Sequence, residues 1–165
     1  MRSERRQRGA KKCTVILGIG LCVGLVAHSA GAQGMAGPSL SQAQAGLAAA
    51  EAAAVDMGIG LTCAVVDAGG TLVALARMDN ARYFTSDIAV GKARASAAFG
   101  APSGALSNIA AMGLAGVMEG GENMLFLQGA VPITANGQPV GAMGCSGAAS
   151  EQDENAAKAG VAAME

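Results

Sequence analysis

The dipeptide Asn136-Gly137 constrains the fold of this chain more than any other feature. It separates two short runs of strand-forming composition, Val131 to Thr134 and Gln138 to Met143. Asn-Gly accepts the two consecutive positive φ angles of a type I′ turn, whose twist matches that of paired strands. The flanking runs are therefore expected to form an antiparallel hairpin. A second arrangement of this kind lies upstream, where Leu61 to Val66, the turn residues Asp67-Ala68-Gly69-Gly70 and Thr71 to Met78 follow one another.

Helical periodicity fills the spaces between the hairpins. Ser39 followed three residues later by Gln42 forms a capping box. Beyond it Leu40, Ala43, Leu47, Ala50, Ala54 and Met57 recur at spacings of three and four, which predicts a one-sided helix ending at Gly58 to Gly60. Thr85 or Ser86 is placed to cap a helix running to about Phe99, with Gly100 and Pro102 stopping it. A short helix is expected around Ser107 to Met118. Ser150, three residues before Asp153, opens an Ala-rich helix to Met164, with Glu151, Asp153 and Glu154 in its first turn, where the helix dipole favours acids. Helix, hairpin, helix, hairpin, helix predicts an α+β single domain. Its antiparallel sheet of about four or five strands is built from two hairpins and packed with helices.

The N-terminus is of a different kind. Arg2, Arg5, Arg6, Arg8, Lys11 and Lys12 precede an apolar run from Cys13 to Ala27, too short to span a bilayer comfortably, and Ala30-Gly31-Ala32 satisfies the small-x-small cleavage rule. Residues 1–32 are therefore read as an export signal and 33–165 as the working domain, periplasmic or secreted. Processing removes six of the 11 Lys and Arg but one of the 12 acids, leaving five bases against 11 acids. Such a surface repels nucleic acid and anionic lipid, so neither is an expected partner. The one histidine, His28, leaves with the signal, which excludes Ser-His and Cys-His catalysis within the processed chain. With three Phe, one Tyr and no Trp, the core is expected to be built from Ala, Val, Leu, Ile and Met. Cys63 and Cys145 each sit in an apolar run, as a disulfide or as two buried thiols.

Four stretches resemble a known family: Leu40 to Glu51, CAVVDAGGTLVALARMDNA from Cys63 to Ala81, SDIAVGKARASAAFG from Ser86 to Gly100, and GAVPITANGQPVGAMGCSGAASEQDENAAKAG from Gly129 to Gly160. In this order they are similar to the GlcG and HbpS-like haem-binding family, which includes the C-terminal domain of PduO-type adenosyltransferases. The resemblance implies an antiparallel sheet packed with helices, subunits that assemble into homo-oligomers, and capture of haem or iron at the cell exterior. One departure is visible. Members commonly carry two consecutive glycines before the proline, and this chain has Gly129-Ala130-Val131-Pro132.

On that resemblance Arg77, Arg82 and Lys92 are candidate anchors for haem propionates or another small anionic ligand, with ordinary surface salt bridges to Asp79, Asp87 or Glu51 as the competing explanation. Tyr83 is a candidate axial ligand, although a lone tyrosine beside a helix start more often packs with its hydroxyl in water. Glu151, Asp153 and Glu154 carry the oxygen ligands a hard cation such as ferric iron prefers, although the helix dipole already explains their position. The expectation is an exported, oligomeric, non-catalytic haem-binding or iron-binding protein. Two other classes stay open: an enzyme or accessory subunit acting on small hydroxy or keto acids such as glycolate, and a sensory or structural interaction protein.

Overall fold

In the computed structural model, which describes residues 37–111 and 123–164, helix α1 (Leu40–Asp56) begins where the capping box places it. The Gln42 amide donates to Ser39 Oγ at 3.2 Å and the Ser39 amide to Gln42 Oε1 at 3.0 Å, so two N–H groups that the first turn leaves without helical partners are satisfied reciprocally. The expected export signal, and the part of the helix 107–118 beyond Ala111, lie outside the described residues. Among the described residues no helix is long and apolar enough to cross a membrane.

Both hairpins form. Strands β1 (Thr62–Asp67) and β2 (Leu72–Arg77) enclose a turn in which Asp67 Oδ1 accepts from the amides of Gly69 and Thr71, both at 2.9 Å. Strands β3 (Ala130–Ala135) and β4 (Gln138–Ser146) are joined by Asn136 at φ 52° and Gly137 at φ 75°, the two positive angles that the dipeptide favours. The hairpins then merge. β1 pairs antiparallel with β4, with Cys63 opposite Cys145, giving a single four-stranded antiparallel sheet of order β2-β1-β4-β3.

Period-two alternation divides the sheet between two helical layers. Cys63, Val65, Met143 and Cys145 join the larger core cluster with α1 and with α4 (Ser150–Ala162). Val66 and Ala142 pack on the opposite side against Ala93 and Ala97 of α2 (Thr85–Phe99). A 3-10 turn, Ser103–Leu106, and helix α3, Ser107–Ala111, follow α2; Leu106 joins Ala95 and Phe126 in a third small cluster.

Two helix starts differ from the expectation. α2 has no side-chain cap: Thr85 is its first residue, and its hydroxyl donates to the Arg82 carbonyl at 2.6 Å and lies 2.7 Å from the Thr62 hydroxyl. Burial of both threonines explains why the hydroxyl turns inward rather than toward the helix amides. Ser150 likewise opens α4 without capping it; Asp153 Oδ1 instead accepts from the Ala148 amide at 3.0 Å.

Small residues set the spacing of the layers. α1 and α4 meet at Gly46 and Gly160, where a Cβ on Gly46 would stand 2.9 Å from the Gly160 carbonyl oxygen and a Cβ on Gly160 would stand 2.8 Å from that of Gly46. Gly160→Val is therefore expected to lower stability by about 1–3 kcal/mol through overpacking, measured as a fall in the urea midpoint. Cys63 and Cys145, both fully buried, form a disulfide between residues 82 apart in sequence. Replacing both with alanine should cost about 4.5 kcal/mol by loop-closure entropy. A Tm unchanged relative to the native chain would remove that account.

Candidate functional site

α2 turns its Ala89, Ala93 and Ala97 inward, so the residues on its opposite flank, Asp87, Val90, Arg94 and Ala98, share an outward stripe at spacings of three and four. The segment 123–125 runs along this flank. It is held by the Leu125 amide donating to the Gly91 carbonyl at 3.0 Å and by Leu125 packing where Gly91 lacks a side chain. Asn123 carries a positive φ of 50° at the start of the segment.

Two clefts open between these elements and share Arg94 and Asn123. One, of 570 Å³, lies between the β1–β2 turn, α2 and Met124, and is walled by Gly70, Thr71, Leu72, Arg94, Ala98 and Met124 among others. The other, of 500 Å³, is bounded by Asp87, Ile88, Val90, Arg94, Asn123 and Leu125. Both fall in the roughly 300–1,000 Å³ range of small-molecule sites. Arg94 is fixed in place because its Nε donates to the Gly70 carbonyl at 3.1 Å. Its two Nη atoms form no salt bridge among the described residues, Asp87 included. A third cavity, of 300 Å³, sits across the sheet among Pro38, Ile133, Val140, Val161 and Met164 and is largely apolar.

The residues singled out in the sequence do not converge on these clefts. Arg77 Nη1 donates to the Ala81 carbonyl at 2.7 Å, Arg82 is exposed, and Tyr83 is 85% exposed with its ring edge-on to Phe84. None of the three lines either cleft. Lys92 is buried: its Nζ lies 2.8 Å from Asp153 Oδ2 and donates to the Cys145 carbonyl at 3.1 Å. Asp153 is therefore committed to an ion pair, Glu154 pairs with Lys158 one helical turn away, and Glu151 is exposed. Among the described residues no three His, Cys, Asp or Glu side chains come together to hold a metal. Arg77 and Arg82 likewise form none of the salt bridges proposed for them among the described residues.

Sequence reasoning passed over Arg94. The signal for it was the helical stripe: once Ala89, Ala93 and Ala97 are placed inward, Arg94 is the one base on the outward flank of α2. The glycine substitution also has an answer. The positive φ, 136°, falls on Gly129, where a Cβ would stand 2.6 Å from Lys92 Nζ, while Ala130 is an ordinary buried strand residue opposite Gly144.

The family model described as haem degrading protein HbpS-like matches residues 39–162. The chain belongs to the HbpS-like family. It is 30% identical over 108 residues to an uncharacterised 15.0 kDa protein of Citrobacter freundii encoded in the dhaT-dhaS intergenic region, covering 64% of this chain and 76% of that protein. A crystal structure of a double mutant of HbpS from Streptomyces reticuli superposes with a TM-score of 0.71 at 30% identity, over 93% of this chain and 97% of that one. The crystal structure of a PduOC haem complex superposes with a TM-score of 0.70 at 26% identity, over 77% of this chain and 94% of that one. The HbpS-like fold thus accounts for the α+β architecture with its antiparallel sheet.

The buried pair gives a direct test. Asp153→Ala leaves the Lys92 ammonium without its counter-charge and is expected to cost about 3–5 kcal/mol, whereas replacing both partners with apolar residues of similar volume should recover most of that loss. Equilibrium urea unfolding of the single and double variants measures the difference.

Proposed function

We propose that this HbpS-like chain is an exported, non-catalytic haem-binding protein and that haem occupies the 570 Å³ cleft beside Arg94. The observation that carries the reading is the guanidinium of Arg94, held by Gly70 at the wall of a cleft that Thr71, Asn123, Leu72, Ala98 and Met124 also line. A bidentate cation of this kind holds a propionate strongly, and the apolar face of a porphyrin packs against side chains such as Leu72 and Met124. The neighbouring cleft suits an anion less well, because Asp87 stands in it. The family match and the haem complex of PduOC support the choice of ligand.

Export is supported by the signal expected over residues 1–32 and by the Cys63–Cys145 disulfide, a bond that persists in oxidising compartments. Assembly into homo-oligomers is supported by Leu72 and Leu75, which lie exposed on the edge strand β2.

Titration of the purified chain with haemin should give a saturable Soret shift. Arg94→Ala removes a charged hydrogen-bond partner worth about 1.5–3 kcal/mol, hence a loss of affinity of about ten- to a hundredfold. Arg82→Ala and Tyr83→Phe, outside the cleft, should leave the titration within twofold. A featureless titration of the native chain would refute the haem reading, and protection of Arg94 from modification by glycolate would then assign the cleft to small organic acids.

A further inference from the structure

We propose that Met124 is an axial ligand of the iron when haem occupies the cleft beside Arg94, an inference that rests on the haem reading. Protein ligands to haem iron are imidazole, thiolate, thioether and phenolate. The only imidazole belongs to His28 in the segment read as an export signal, and both thiols of the folded domain are joined in the Cys63–Cys145 disulfide. The only phenol, Tyr83, stands 85% exposed and outside both clefts. Among the described residues that line the two clefts, Met124 alone belongs to one of these four types.

Its setting also suits a ligand. Met124 lies between Asn123, whose left-handed backbone fixes the entry of the segment, and Leu125, whose amide is bonded to the Gly91 carbonyl. Its half-buried side chain packs against the cluster of Ala95, Leu106 and Phe126 and still reaches the cleft wall. Met124 shares its cleft with Arg94, so one site offers a soft donor for the metal and a cation for the propionate.

The test loads the purified chain with haemin and records the near-infrared sulfur-to-iron charge-transfer band of ferric haem by absorbance and magnetic circular dichroism. The native protein should show that band. Met124→Leu, a volume-conserving change, should lose it while a saturable, Arg94-dependent Soret shift persists, and the ferric/ferrous midpoint potential should move to more negative values. Met124→His should replace the band with the spectrum of imidazole-ligated iron. Saturable binding without a thioether band in the native protein, or a band that survives in Met124→Leu, overturns the assignment of Met124 and leaves the haem reading intact. Absence of saturable binding in the native protein overturns both.

Discussion

The ion pair of Lys92 and Asp153 is the contact on which the arrangement of layers depends. Lys92 belongs to α2 on one side of the sheet, and Asp153 to the first turn of α4 on the other. Their contact past the end of β4, with the Cys145 carbonyl as a further acceptor, ties together two helices that the sheet otherwise separates. A buried charge is tolerated only when it is paired and hydrogen-bonded. Here two of the three N–H groups of the ammonium meet a carboxylate oxygen and a carbonyl, and the second carboxylate oxygen takes the Ala148 amide. Gly129 is the price of this geometry, because a side chain at that position would occupy the place of the ammonium.

Around this contact the packing is built from small groups. The core that α1 and α4 share with the sheet is rich in alanine, and the helices approach until their backbones meet at Gly46 and Gly160. Alanine buries little area per residue, so such a core gains stability from closeness and number of contacts rather than from large side chains. The disulfide between Cys63 and Cys145 supplements it at the junction of the two hairpins, the one pairing in the sheet that no tight turn enforces.

What was legible in the sequence was local. The capping box at Ser39 and Gln42, the Asx turn at Asp67 and the Asn136-Gly137 turn each place a defined hydrogen bond or φ angle within a few residues, and each forms as expected. The pairing of β1 with β4 and the choice between disulfide and free thiols depend on groups 82 residues apart, which no local pattern encodes. Lys92 illustrates the same limit: as a cation in an acidic protein it suggested an anion anchor, but its partner stands 61 residues away and both are buried. Arg94 went unnoticed because its role follows from which face of α2 meets the sheet. That face becomes clear only when the inward alanines are known.

In the proposed haem site the guanidinium of Arg94 has two tasks. Nε is held by the Gly70 carbonyl, which fixes the plane of the fork before any ligand arrives and leaves the outer edge to receive one. The rotamer entropy of a long cationic side chain is therefore lost at folding rather than at binding. A lysine, with a single rotatable ammonium, has no second edge to divide in this way. The same hydrogen bond joins α2 to the β1–β2 turn, so the proposed anion site is anchored to both elements. Any ligand taken up by this cleft would therefore meet a rim already stiffened by folding.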